Sequence, residues 1–220
     1  LLAVGFFVSV KGLPAPEEKF ALAAEASGTS VDDRAPYVHP AEVVEWMGDS
    51  SVAVRILDVR PEREYNLFNI FGSKRISFEQ MEDEAFIQEL KSMPDNGLTF
   101  IVSNGERLST NAYRMLKGRN VQNLYIIEGG INNWLSVYPP SNCIATPLPD
   151  PLPTDDETLR FAFQRAAGSS CYASHPEAPF KEHPVDCGRP AEGGLESGVR
   201  PNPLEGLPKP QFEKKVKIQK

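Results

Sequence analysis

Cysteine is scarce in this 220-residue chain, with Cys143, Cys171 and Cys187 as its three members. No Cys-x-x-Cys-His occurs among them, so covalent haem attachment is not indicated. Positive charge is also in short supply. Lys and Arg total 23 against 30 Asp and Glu, a formal net charge of -7. No broad basic stripe runs along the chain, which argues against a nucleic-acid partner. The one basic cluster is the tail, Lys214, Lys215, Lys217 and Lys220, either a solvated end or a contact for lipid or an acidic partner. A bilayer span needs about 20 apolar residues. The apolar run at the start, LLAVGFFVSV (1–10), is too short for that.

That apolar start has several readings. It is the end of a longer membrane anchor, an uncleaved signal core, or an apolar element docked on the protein. Pro14 and a polar stretch over 15–36 follow at once, which favours the anchor followed by a linker. The first residue is not Met, so the chain is expected to be processed, trimmed or without its original start.

Proline divides the rest. Of 20 prolines, 14 lie in residues 139–220. Proline at that density prevents long helices and central strands. The expected organisation is an apolar segment over 1–13, a linker over 14–36, a folded domain over 37–138 and an extended arm over 139–220. The arm either wraps a surface or stays partly disordered.

Residues 37–138 alternate helix-like and strand-like patterns. Pro40 opens a helix at its favoured first position, with Val43, Val44 and Met47 on one face. Val52 to Val59 is a short apolar run suited to a buried parallel strand. Phe86, Ile87, Leu90 and Met93 mark a helix stopped by Pro94. Phe100 to Val102 is a second strand, and Leu108, Ala112, Met115 and Leu116 line the next helix. Leu124 to Ile127 is a third strand, closed by Gly129 and Gly130. Ile131, Trp134, Leu135 and Tyr138 then keep helical spacing. Such alternation implies an α/β fold, a parallel sheet covered by helices on both faces. No internal repeat is present.

LTFIVSNGERLSTNA (98–112) carries the chemistry. A buried strand feeds a polar loop, Ser103 to Ser109, and the loop opens a helix. This arrangement gathers backbone N–H groups at one point and makes an anion cradle.

Several matches in order resemble a rhodanese homology domain. VRILDVRPEREY (54–65) is similar to that family's strand and Asp-Val-Arg turn. NLFNIFGSKRIS (66–77) resembles its Gly-His-Ile-Pro-Gly-Ala segment and following apolar strand, without the His and the Pro. TFIVSNGERLSTNAYRMLKGRNVQNLYIIEGGINNWL (99–135) resembles its strand, loop, helix and strand, ending in Glu-Gly-Gly-Ile and a Trp. The resemblance covers about 38–138. It implies a catalytic cysteine at the first loop position, whose thiolate carries sulfane sulfur as a persulfide. Loop N–H groups stabilise that thiolate.

Here that position is Ser103, followed by Asn104, Gly105, Glu106, Arg107, Leu108 and Ser109. Oxygen forms no persulfide, and a serine nucleophile needs an adjacent base. His39, His175 and His183 are all remote from it in sequence. Glu106 adds negative charge to a loop that would otherwise hold an anion. Loss of sulfur transfer is therefore expected. The loop holds a small anion or a partner's carboxylate, with Arg107 as a charged aid, or Ser103 merely caps the helix. Asp58 and Arg60, on the rim in the resembled family, are expected to form an internal salt bridge.

Cys171, His175, His183 and Cys187 make a second constellation. Two thiolates and two imidazoles suit tetrahedral zinc. Yet Pro176 and Pro184 break helices there, and the spacing is not a standard finger pattern. A metal site, a Cys171–Cys187 disulfide in an extracytoplasmic setting and no special role all stay open.

The leading expectation is a non-catalytic interaction or structural module without a cofactor. It would be an accessory subunit of a membrane-associated complex on the periplasmic side, with other protein subunits as partners and residues 1–10 as the membrane contact. The alternatives are a sulfurtransferase-type or phosphatase-like enzyme on the same fold, and a metal or redox protein using the second constellation.

Overall fold

The structure, a computed structural model, describes residues 34–138, 145–147, 157–163, 171–176, 216 and 218. A five-stranded sheet is its centre, with β1 (Tyr37–Val38), β2 (Ala53–Asp58), β3 (Lys74–Arg75), β4 (Gly97–Val102) and β5 (Leu124–Ile127). The spatial order is β1-β5-β4-β2-β3 and every pairing is parallel. Six helices connect and cover it: α1 (Pro40–Met47), α2 (Glu62–Leu67), α3 (Phe78–Glu82), α4 (Glu84–Lys91), α5 (Arg107–Gly118) and α6 (Gly130–Val137).

Side-chain alternation distributes each strand between two cores. Leu98, Phe100 and Val102 of β4 join Val38, Ile56, Tyr125 and Ile127 on one face. Ile101 joins Tyr37, Leu57, Leu124 and Ile126 on the other. The first face is covered by Val43 and Val44 of α1 and by Ile131, Trp134 and Leu135 of α6. The second is covered by α3, α4 and α5 through Met81, Ile87, Leu90, Ala112, Tyr113 and Leu116. A sheet buried on both faces explains why β4 is apolar almost throughout.

Local chemistry sets the helix starts. Pro40 occupies the first turn of α1, and His39 precedes it as the cap, its Nδ1 accepting the Ala41 N–H at 3.2 Å. Ser77 and Gln80 form a reciprocal capping box on α3. Asp83 caps α4.

Four elements differ from the sequence expectation. α2 buries none of its residues, so no apolar period announces it. α3 is only five residues with one buried side chain, Met81. β1 is two residues, too short for a pattern. The apolar strand expected after Gly72 is the polar pair Lys74–Arg75, with the buried Ile76 just beyond it.

The described pieces of the proline-rich arm lie on this domain. Strands β6 (Ala145–Pro147) and β7 (Phe161–Phe163) pair antiparallel. Phe163 stacks on Phe68 with ring centroids 5.9 Å apart. Cys171, Ala173 and Val216 are buried in the first core. The Trp134 indole donates to the Ala173 carbonyl at 2.6 Å, and the Val216 N–H donates to Glu42 at 2.7 Å. At the other end Arg34, from the expected linker, pairs with Glu106 and Glu128.

Candidate functional site

The loop after β4 lies at the carboxyl edge of the sheet, where open α/β folds place their ligands. Its bounds are shorter than the sequence suggested. α5 already begins at Arg107, so Arg107, Leu108 and Ser109 form the helix's first turn and the loop is Ser103 to Glu106.

The start of α6 grips this loop from one side. The N–H groups of Ile131 and Asn132 donate to the carbonyls of Ser103 and Asn104 at 2.8 and 3.0 Å. Gly129 and Gly130 turn the chain into that position with φ of 65° and 59°. Such angles suit glycine and strain other residues.

From behind, the loop is tied to β2. Arg60 and Asp58 are both wholly buried, and Arg60 Nη2 lies 2.6 Å from Asp58 Oδ2. Arg60 Nε donates to the same carboxylate at 2.9 Å. Its remaining donors reach the Phe68 carbonyl at 2.6 Å and Asn104 Oδ1 at 3.2 Å. The pair therefore faces inward and fixes Asn104, and it offers no free cation to a ligand.

Ser103 itself is fully buried. Its hydroxyl accepts the Ser109 N–H at 3.2 Å, an N–H of the first helical turn. Its single proton faces three oxygens: the Gly105 carbonyl at 3.1 Å, Ser109 Oγ at 3.2 Å and Glu157 Oε1 at 3.4 Å. No histidine is among these partners. His39 caps α1, His175 stacks on Phe71, and His183 lies outside the described residues. Ser103 thus accepts from the first turn of α5, although the residue at the N-cap position is Glu106.

The negative charge in the cradle belongs to Glu157, not to Glu106. Glu157 Oε1 accepts the Leu108 N–H at 3.0 Å, across 49 residues of sequence. Asn104 Nδ2 donates to the Glu157 backbone carbonyl at 2.7 Å and also to the Glu64 carboxylate. Asn132 Nδ2 donates to the Thr158 carbonyl at 2.9 Å, and its Oδ1 accepts the Arg160 N–H at 2.7 Å.

Glu106 instead turns to the rim, where both its oxygens accept from Arg34 and Oε1 accepts the Gly129 N–H at 2.8 Å. Burial pushes the Glu106 carboxyl up, but Arg34 and the Gly129 N–H outweigh it and hold the group below the usual glutamate range. The same partnership raises Arg34. Arg107, expected beside the anion, is exposed on the first turn of α5. The cradle's donors to Glu157 are a backbone N–H, a hydroxyl and a carboxamide.

Of the second constellation, the described residues include Cys171 and His175. Cys171 is a buried free thiol in the first core. His175 stacks on the exposed Phe71 with centroids 4.8 Å apart. A short 3-10 turn, Tyr172–Ser174, lies between them and is anchored by Ser174, whose hydroxyl donates to the Asn69 carbonyl at 2.6 Å. His183, Cys187 and Cys143 lie outside the described residues. Among the described residues no cluster of three or more metal-ligating groups occurs. No described helix is long and apolar enough to cross a membrane, and residues 1–10 lie outside the described part.

Sequence reasoning missed Glu157, Asn132, Glu64 and Arg34. Arg34 and Glu157 lie outside every quoted motif, and Glu64 and Asn132 lie inside motifs whose spacing does not announce a contact with the loop.

Residues 39–137 match the family described as Rhodanese-like domain. An uncharacterized protein of Buchnera aphidicola subsp. Baizongia pistaciae is 25% identical over 89 residues, 40% of this chain and 60% of that protein. The chain thus spans less than two thirds of that relative. Among solved structures, a rhodanese-like domain protein from Staphylococcus aureus is 24% identical, with a TM-score of 0.36 over 44% of this chain and 89% of that one. A Staphylococcus saprophyticus protein is 27% identical, with a TM-score of 0.34 over the same shares. A Rhodopseudomonas palustris protein of unknown function, titled a possible tyrosine phosphatase, is 16% identical, with a TM-score of 0.40 over 58% and 95%.

Proposed function

Residues 39–137 are a rhodanese-like domain, and from that premise we propose that this protein is a non-catalytic member, a holding and interaction module. The observation that carries the reading is Ser103. It stands where the family resemblance places a thiolate, it is wholly buried, and its hydroxyl is engaged by Ser109, Gly105 and Glu157. Sulfur transfer needs a nucleophilic thiolate that the donor reaches. A buried hydroxyl beside a carboxylate supplies neither sulfur nor access.

The protein serves, in this reading, as an accessory subunit of a membrane-associated complex on the extracytoplasmic side. The apolar residues 1–10 and the linker that follows support the membrane part. The catalytic part is tested by thiosulfate-to-cyanide sulfur transfer. The expected result is no turnover above a heat-treated control, and turnover above that control overturns the reading. The subunit part is tested by gentle detergent extraction and purification of the full chain. Membrane-fraction recovery with stoichiometric partners is expected; recovery alone in the soluble fraction counts against it. Deleting the whole arm is a poor test, because Cys171, Ala173 and Val216 belong to the domain's own core.

A further inference from the structure

The cradle is filled by the protein itself, and the manner of filling resembles peptide recognition. Five hydrogen bonds hold the segment Glu157 to Arg160. The Leu108 N–H and the Ser103 hydroxyl hold the Glu157 carboxylate at 3.0 and 3.4 Å. Asn104 holds the Glu157 backbone carbonyl at 2.7 Å. Asn132 holds the Thr158 carbonyl at 2.9 Å and the Arg160 N–H at 2.7 Å, as a two-point clamp. Ser103, Asn104 and Asn132 are all at least nine-tenths buried, so these donors are built into the fold. Main-chain contacts of this kind supply affinity, and one side-chain pocket supplies specificity. Here that pocket selects a carboxylate at the start of α5, where the helix dipole favours negative charge.

We propose that the loop is a receptor for a short peptide turn bearing a glutamate, and that Glu157–Arg160 is its tethered occupant, which docks the arm in cis and keeps the cradle shut. The inference rests on reading the loop as a holding site, and it names what is held. An occupant on the same chain enjoys a high effective concentration, so a free peptide competes poorly with it. Weakening the resident contact opens the site.

The test uses the full chain as wild type, Glu157→Ala and Glu157→Gln, each checked for a cooperative thermal transition. The probe is a labelled synthetic peptide of residues 154–163 and its version with Gln in place of the central Glu. Both variants are expected to speed amide hydrogen exchange over residues 157–163. The glutamate peptide is expected to bind Glu157→Ala at least about tenfold more tightly than wild type. The Gln peptide is expected to bind that variant roughly ten- to a hundredfold more weakly than the Glu peptide. Equal binding of the two peptides, or unchanged exchange in the isosteric Glu157→Gln protein, overturns the proposal. A wild-type dimer that dissociates on Glu157→Gln overturns the in-cis arrangement. Thiosulfate turnover by wild type would sink the non-catalytic reading while leaving peptide selectivity intact, so the two failures are distinguishable.

Discussion

Helices α5 and α6 both begin against the loop that follows β4, but their leading N–H groups find partners of different kinds. At α6, Ile131 and Asn132 donate to carbonyls of the loop itself. At α5, Leu108 donates to a carboxylate brought in from the arm, and Ser109 donates to the Ser103 hydroxyl. The first arrangement is backbone to backbone and depends on Gly129 and Gly130. The second depends on side chains that substitution or exchange removes. One helix start is scaffold and the other, on the reading proposed above, is a site. Both satisfy the same need, since the first turn of any helix leaves N–H groups unpaired. What separates them is whether the partner belongs to the local chain or is delivered from far along it.

The sharpest way to break the comparison is at Gly130. A Cβ there would lie 2.3 Å from the carbonyl oxygens of Ser103 and Gly105 and 2.7 Å from that of Asn104. Those oxygens are backbone, so nothing flexible gives way, and the φ of 59° adds strain. Gly130→Ala is expected to cost more than about 4 kcal/mol in urea unfolding or to prevent folding. A cost below about 1 kcal/mol would show that α6 is no more a fixed scaffold than α5.

Next in size is the support behind the loop. Asp58→Asn leaves Arg60 charged, wholly buried and without its counter-charge. Breaking a buried pair on one side costs about 3 kcal/mol or more. Because Arg60 also holds Asn104, and Asn104 holds the Glu157 carbonyl, the loss should loosen the α5 site more than the α6 grip. Hydrogen exchange reads both at once. Faster exchange at Leu108 and residues 157–160, with Ile131 and Asn132 unchanged, is the expected pattern. Equal loosening at both would make the loop a single cooperative unit.

The same contrast explains what the sequence disclosed. Strands β2, β4 and β5 were legible because burial on both sheet faces demands continuous apolar runs. α1, α5 and α6 were legible because each buries one face, as Val43 and Val44, Ala112 and Leu116, and Trp134 and Leu135 do. The α6 grip was half legible, since Gly129 and Gly130 mark a turn that only glycine adopts easily. The α5 site was not. Its decisive partner, Glu157, sits among Asp155, Asp156 and Thr158 in a proline-rich stretch, with nothing local to distinguish it. α2 went unread for the opposite reason. It buries no side chain, so it leaves no periodic trace. Spacing places Glu106 in the loop but does not give its direction, toward Arg34 and the Gly129 N–H.

The mildest probe is Glu106 and its partner Arg34, on the rim between the two helix starts. Glu106→Gln keeps an oxygen able to accept the Gly129 N–H and removes only the charge. Half of the Arg34 side chain is exposed, so solvent and salt screen the pair, and the loss at pH 7 should be under about 1 kcal/mol. The pH dependence has a definite sign. Glu106 is held below its ordinary range in the folded protein, so its contribution is full above the unfolded value, about 4.3, and disappears as pH falls through the folded value. Arg34 is raised and stays charged throughout this window, so it adds no slope of its own. The stability difference between wild type and Glu106→Gln should therefore be constant from pH 8 to about 5 and close toward zero below about pH 4. Added salt should shrink it at pH 7. A difference that grew in acid would mean that Glu106 carries its charge against its surroundings. It would then be competing with Glu157 for the start of α5, and the division between the two helix starts would have to be redrawn.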